Sequence, residues 1–83
     1  MELEDHVKSY VDLYRVSIGE NIKNARKERV YTQSQLAHQT DLSINYIGYI
    51  ERGTQFLSLK TFLEVAYALR IEPEKLLSKK IYE

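Results

Sequence analysis

Four residues at helical spacing form a polar surface within a short, otherwise apolar segment: Asn45, Gly48, Tyr49 and Arg52. At 100° per residue they cluster on one side of a helix, whereas Ile47 and Ile50 point to the other side. An asparagine amide can bond adenine in bidentate fashion, and a tyrosine can meet a base edge or a thymine methyl group. The segment therefore suits a helix that enters the DNA major groove. Amphipathicity by itself fits an ordinary helix with a solvated face more often.

One local pattern marks the elements that must position this face. A polar residue is preceded by an apolar residue and followed four positions later by another, which is the arrangement of a hydrophobic staple at a helix start. The pattern occurs four times, at Thr32, Ser43, Ser58 and Glu72. Thr32 and Gln35 also fit a capping box, and Pro73 stands at the favoured first helical position. These signals predict four helix starts.

Apolar residues recur at helical spacing throughout the chain, and β-branched runs are absent, so we expect an all-α fold without strands. The predicted helices cover 17–29, 33–40, 44–52, 59–69 and a segment that starts at Pro73. An apolar stripe predicts an additional helix over 3–15, broken near 17–19, with the stripe residues Leu3, Val7, Tyr10, Val11 and Tyr14. We divide the chain into an N-terminal helical extension, 1–16, and one domain, 17–83.

Only Asp41 and Leu42 connect the second and third domain helices, which forces this pair to cross steeply as a helix-turn-helix.

The chain has 83 residues, enough for one modest core, and we expect no second domain. It contains no cysteine, which excludes disulfides and thiolate metal sites. The acidic start and the short apolar runs argue against a signal peptide or a membrane span, so we expect a soluble, cytoplasmic protein.

The net charge is zero, yet the charges are unevenly distributed. Residues 1–14 carry four acids against Lys8, whereas residues 15–31 carry five basic residues against Glu20 and Glu28. A protein that holds DNA by charge alone should have a clear basic excess. The split suggests a basic helix near phosphates and an acidic segment held away from them, although solvated helix faces explain the same charges equally well.

The sequence resembles the phage repressor and Cro-type helix-turn-helix family, also called the xenobiotic-response-element family, of bacterial and phage transcriptional regulators. The resemblance covers about residues 18–77 and is carried by 32–37 (TQSQLA), Leu42-Ser43, Tyr46-Ile47, 50–53 (IERG), Ser58-Leu59, Leu63, Ala66 and Leu69. It implies a compact five-helix, lambda-repressor-like DNA-binding domain, to which the N-terminal helix is an addition.

The resemblance also implies roles for individual residues. The positions that read bases in the family correspond to Ile44, Asn45, Gly48 and Tyr49. The positions that contact phosphate correspond to Gln33, Ser43, Tyr46, Arg52 and Lys60. Arg26 and Glu51 match the family's structural ion pair between helices, and Ala37 matches a small residue at a close helix crossing.

Three positions depart from the family pattern. Val30 replaces a frequent glycine after the first helix, and because β-branched residues resist positive φ, we expect a different turn before Tyr31. Asp41 replaces another glycine but tolerates the left-handed region better. Leu57 stands where proline is common.

A single domain of this kind contacts half a site, so we expect a homodimer on double-stranded DNA with a pseudo-palindromic operator. Candidate interface residues are Phe56, Leu57, Tyr67, Leu77, Ile81 and Tyr82. Leu76 and Leu77 fit the core of one copy equally well. The N-terminal helix could instead form the dimer, or cap the domain.

Several functions remain open. Small relatives of this family include repressors, restriction-modification controllers and antitoxins, and repression is the broadest expectation. An antitoxin-like protein-interaction module is the alternative, favoured mildly by the neutral charge. An enzyme is the third hypothesis, but His6 and His38 lie on different helices without a paired nucleophile. We expect no cofactor and no metal.

Overall fold

A computed structural model describes residues 2–78, and within this range the chain forms five α-helices and no strand. The helices are α1 (Leu3–Glu28), α2 (Gln33–Thr40), α3 (Ile44–Glu51), α4 (Leu59–Ala68) and α5 (Pro73–Leu77). The predicted all-α class is confirmed. The bounds predicted for α2, α3 and α4 agree with the observed ones to within one residue, and α5 begins at Pro73 as predicted.

The first helix differs from the sequence-based expectation. We expected a separate N-terminal helix with a break near 17–19, whereas α1 runs unbroken through this segment for 26 residues. Gly19 is buried inside the helix, and a Cβ atom there would collide with the backbone carbonyl oxygen of Ile50. The glycine therefore allows α1 and α3 to approach closely instead of breaking α1. The predicted domain division at 16/17 falls inside this helix and stays a prediction.

Hydroxyl side chains start three of the helices. The Oγ atoms of Thr32, Ser43 and Ser58 accept hydrogen bonds from the backbone N–H three residues later, at 3.0, 3.0 and 3.1 Å. The side chain of Gln35 completes the predicted capping box by accepting from the N–H of Thr32 at 2.8 Å. These contacts satisfy backbone donors that a helix start leaves without partners.

Four helices end in the same way. A residue with positive φ follows each of α1 to α4, and the next N–H bonds the carbonyl five residues back. The left-handed residues are Val30, Asp41, Gly53 and Arg70. Our expectation of a different turn at Val30 is wrong, because Val30 adopts φ 60° while the N–H of Tyr31 bonds the Arg26 carbonyl at 3.0 Å. This is the Schellman arrangement.

The core lies between α3 and its neighbours. Helix α3 contacts both α1 and α2, α4 packs on α2, and α5 closes the end beside α1. Leu76 is fully buried and belongs to this core, whereas Leu77 is 43% exposed. Two further interface candidates, Ile81 and Tyr82, lie outside the described residues. Among residues 2–78 no helix is long and apolar enough to cross a membrane.

Candidate nucleic-acid interface

Helix α3 separates its buried and exposed faces as the sequence predicts. Ile47 and Ile50 are buried in the core. On the opposite side Asn45 is exposed, and Ile44 and Tyr49 expose 50% and 44% of their surface. Ser43 caps the start of the helix and is also exposed. A rigid helix therefore presents a mixed polar and apolar face near its N-terminus.

Arg52 and Tyr49 form one unit on this face. The guanidinium carbon of Arg52 lies 5.1 Å from the centre of the Tyr49 ring, within the range of a cation–π contact. Gly48 is buried beneath this guanidinium, and a Cβ atom there would lie 3.1 Å from Arg52 Nη1. The absence of a side chain at Gly48 thus leaves room for Arg52, and the base-reading role predicted for this position could involve only backbone atoms.

A buried ion pair anchors the C-terminal end of α3 to α1. Arg26 Nε donates to Glu51 Oε2 at 2.7 Å, and Arg26 Nη2 donates to Oε1 at 3.0 Å. Both residues are 8% exposed. Arg26 Nη1 also donates to the Tyr31 carbonyl at 2.8 Å, and Gln33 Nε2 donates to Glu51 Oε1 at 3.1 Å. The network therefore joins the end of α1, the start of α2 and the end of α3.

The five predicted phosphate-contacting residues occupy different environments. Gln33 is half-buried against Glu51, as described above, and the Tyr46 hydroxyl donates to the Phe56 carbonyl at 3.0 Å. Ser43, Arg52 and Lys60 are exposed, with Lys60 in the first turn of α4. Within residues 2–78, no hydrogen bond or ion pair holds Lys60. The exposed cations among these five residues are therefore Arg52 and Lys60.

The basic segment of α1 is largely structural. Besides Arg26, two arginines donate to carbonyl groups at helix ends: Arg15 Nε bonds the Gly53 carbonyl at 2.7 Å, and Arg29 Nε bonds that of Leu69 at 2.7 Å. Lys23 and Lys27 are exposed. The three arginines therefore have structural partners within the fold, and the interpretation of this segment as a basic helix near phosphates stays a prediction.

Two positioning residues on α1 escaped the sequence analysis. Asn21 Nδ2 donates to the Leu76 carbonyl at 2.9 Å and to the Ser78 carbonyl at 2.7 Å, which ties α5 to α1. Arg15 binds Gly53, the second residue after α3, and also stacks 5.5 Å from the Phe56 ring. Neither contact leaves a sequence signal, because the partners are 38 to 57 residues away.

The described part of the chain contains no cluster of side chains that suits a metal ion. No group of three or more histidine, aspartate or glutamate side chains there could hold a metal ion. What residues 2–78 provide is an exposed helix face, supported from behind by a packed core and a buried ion pair. These features define a helix-turn-helix domain of the type that carries a recognition helix.

Comparison with known proteins identifies the family. A helix-turn-helix domain family matches residues 19–80, about three quarters of the chain, and the chain belongs to this family. The match confirms the predicted resemblance and the predicted class, a DNA-binding transcriptional regulator. Residues 2–18, which include the first half of α1, precede the matched region.

Similar proteins include repressors and controllers. The immunity repressor of Bacillus phage phi105 is 46% identical over 57 residues, which cover 69% of this chain but only 40% of the repressor. The control protein C.BamHI of Bacillus amyloliquefaciens is 34% identical over 64 residues, covering 76% of this chain and 79% of that protein. The solved restriction-modification controller protein C.AhdI from Aeromonas hydrophila superposes with a TM-score of 0.71 at 36% identity, covering 74% and 92%.

Proposed function

We propose that the protein regulates transcription by binding a pseudo-palindromic DNA operator as a homodimer, with α3 of each copy in the major groove. One observation carries this proposal: the face formed by Asn45, Tyr49 and Arg52 is exposed, while the opposite face of α3 is buried. Because the core already holds α3 in place, DNA binding does not have to pay the entropic cost of ordering this helix. Two such helices one DNA turn apart, about 34 Å, would read both half-sites.

Base reading in this proposal rests on three side chains. Asn45 supplies an amide that can pair with adenine, and Tyr49 and Ile44 supply apolar contact with a thymine methyl group. Gly48 contributes space, because Arg52 folds over it and stacks on Tyr49. Tyr49 is thereby oriented before DNA binds.

Phosphate contacts would position the domain without reading sequence. Arg52 and Lys60 supply charge, and Ser43 supplies a hydroxyl group at the start of α3. Gln33 donates one amide hydrogen to Glu51, which leaves the second hydrogen for a phosphate oxygen beside the N-terminus of α2. Tyr46 is the weakest of the five candidates, because its hydroxyl proton already bonds the Phe56 carbonyl.

The proposed set of cationic phosphate contacts is small, which makes the salt dependence informative. Arg52 and Lys60 give about four cationic phosphate contacts per dimer. Because each contact releases counterions, log K should fall with log salt with a slope of about −4. Use of the α1 arginines as well would steepen the slope to about −9. Those arginines bind backbone carbonyls or Glu51, so the shallower slope is expected.

Selection of bound sequences from random duplex DNA, followed by anisotropy titration at several salt concentrations, tests the proposal. We expect a two-fold symmetric site. Asn45→Ala should weaken binding to it by about 1–3 kcal/mol per half-site. Gln39→Ala, which removes an exposed amide at the other end of α2 from Gln33, is the matched control and should bind normally. No enrichment by a folded protein would refute DNA reading and favour the protein-interaction module.

Repression is the proposed direction of regulation. Occupancy of an operator is sufficient to block transcription, whereas activation requires a further surface that contacts polymerase. The proposed location is the cytoplasm, since a regulator must share a compartment with its DNA. A reporter gene behind the selected site should be expressed less when the protein is present, and higher expression would identify an activator instead.

A further inference from the structure

An apolar stripe on the N-terminal half of α1 lies exposed in the isolated chain. Leu3 is 76% exposed, Val7 50%, Tyr10 63% and Tyr14 39%. Their spacing of four, three and four residues is the spacing of a coiled-coil seam. This part of α1 precedes the region matched by the helix-turn-helix family, so the domain does not need it to complete its core.

The stripe continues into an apolar groove of about 370 Å³. Tyr10 and Tyr14 line one wall of the groove, and Phe56, Leu59 and Leu77 line the other. Together with Leu3 and Val7, these side chains expose about 500 Å² of apolar surface per copy. Two such surfaces reach roughly the 1,000 Å² that a specific protein interface requires.

We propose that a second copy of this chain covers this surface, through antiparallel pairing of the N-terminal halves of two α1 helices about a two-fold axis. In this pairing Leu3 packs against the partner's Tyr14, and Val7 packs against the partner's Tyr10. All four stripe residues are then used reciprocally, as a two-fold interface requires. Leu3 reaches the entrance of the partner's groove. The inference rests on the dimeric operator binding proposed above and identifies its interface.

Charge favours the antiparallel arrangement over the parallel one. Glu2, Glu4 and Asp5 make the start of α1 acidic. Parallel pairing would place the two acidic ends side by side. Antiparallel pairing separates the two acidic ends and aligns the helix dipoles favourably.

The pairing also accounts for operator spacing. Helix α3 crosses α1 at Gly19, and an α-helix rises 1.5 Å per residue. With the two-fold axis between residues 8 and 9, the two Gly19 residues lie about 32 Å apart along the paired helices. This separation is close to the roughly 34 Å between half-sites one DNA turn apart.

Engineered cysteines test the register directly, because the chain contains none of its own. Chains with Leu3→Cys, mixed with tagged chains with Tyr14→Cys, should form a mixed disulfide under mild oxidation. Each variant by itself should not cross-link, since its two thiols would lie about 16 Å apart along the helices, and a disulfide requires Cα atoms within about 7 Å. Equal cross-linking in all three samples would overturn the proposed register.

Sedimentation equilibrium tests the interface itself. Tyr10→Glu should raise the dimer dissociation constant by about 30-fold or more, as loss of a buried aromatic contact does. Ser9→Glu adds the same charge on the other side of α1 and should leave the constant within about twofold. A native chain that stays monomeric, or a Tyr10→Glu variant that dimerises normally, would overturn the proposal.

Separate readouts distinguish this interface from the proposed function. Tyr10→Glu should still bind a single half-site, whereas Asn45→Ala should form dimers normally and bind the operator at least about 30-fold more weakly. If the cysteine variants cross-link as expected but the native chain does not bind DNA, only the proposed function is refuted.

Discussion

Replacing Glu51 by glutamine removes one charge from a buried ion pair while the shape of the side chain stays nearly the same. The carboxylate of Glu51 accepts three hydrogen bonds, two from Arg26 and one from Gln33, and both of its oxygens are used. A glutamine side chain has only one oxygen. Its NH₂ group would face a donor of Arg26 or Gln33, so at least one contact would become repulsive.

The expected loss of stability is large compared with the total. Breaking a buried ion pair by removing one partner costs about 3–5 kcal/mol, because the remaining charge is left uncompensated. A domain of this length has a free energy of unfolding of about 4–12 kcal/mol. For a chain of this size each kcal/mol corresponds to about 4–8 °C in Tm. We therefore expect Glu51→Gln to lower Tm by roughly 12–40 °C.

Urea unfolding followed by circular dichroism at 222 nm measures the loss of unfolding free energy, and a thermal scan at the same wavelength measures the change in Tm. All proteins must be compared at one concentration, because dimerisation adds to the apparent stability. Glu64→Gln, at an exposed carboxylate on α4, is the matched control and should change stability by less than about 0.5 kcal/mol. The double variant Arg26→Met with Glu51→Met should be more stable than either single variant, because apolar side chains can replace a buried pair.

Two outcomes would refute the reasoning. A cost below about 1 kcal/mol for Glu51→Gln would mean that solvent or another group compensates Arg26. Additive effects of the two methionine substitutions would mean that the residues do not stabilise one another, since coupled residues deviate from additivity.

Three further substitutions test the backbone and the connections of α1. Gly19→Ala should lower Tm by at least about 8 °C, because a Cβ atom collides with the Ile50 carbonyl; an unchanged Tm would contradict the close helix crossing. Val30→Gly should raise Tm by about 4–8 °C, since Val30 is 84% exposed and left-handed; Val30→Ala should raise it less, and an equal gain would argue against relief of backbone strain. Asn21→Ala should cost about 2 kcal/mol and accelerate amide exchange in α5, whereas unchanged exchange would show that its two bonds do not hold α5.

Helix starts were predictable because their chemistry is local. Thr32, Ser43 and Ser58 each bond an N–H three residues away, so both partners lie within one turn of sequence. The two faces of α3 were predictable for the same reason, since helical periodicity separates Ile47 and Ile50 from Asn45 and Tyr49. The fold class and the candidate recognition face therefore followed from residues close together in the chain.

The failed expectations involve partners that are distant in sequence. A glycine within a helix is compatible with a break or with close packing, and for Gly19 the backbone of α3 decides. Val30 is unfavourable locally, but the Tyr31 carbonyl is bonded by Arg26, which is itself fixed by Glu51. The structural bonds of Arg15 and Arg29 could not be predicted either, because the carbonyls they bind lie 38 and 40 residues away.

Helix α1 holds the C-terminal end of α3, the proposed recognition helix, through three residues. Arg15 binds the carbonyl two residues after α3, Gly19 allows the α3 backbone to approach closely, and Arg26 binds Glu51, the last residue of α3. The same helix continues without a break into the stripe that begins at Leu3. Because a continuous helix is stiff, pairing two N-terminal halves would fix the distance between two recognition helices. In the proposed dimer this fixed geometry would add to the affinity that Arg52 and Lys60 supply through phosphate contacts.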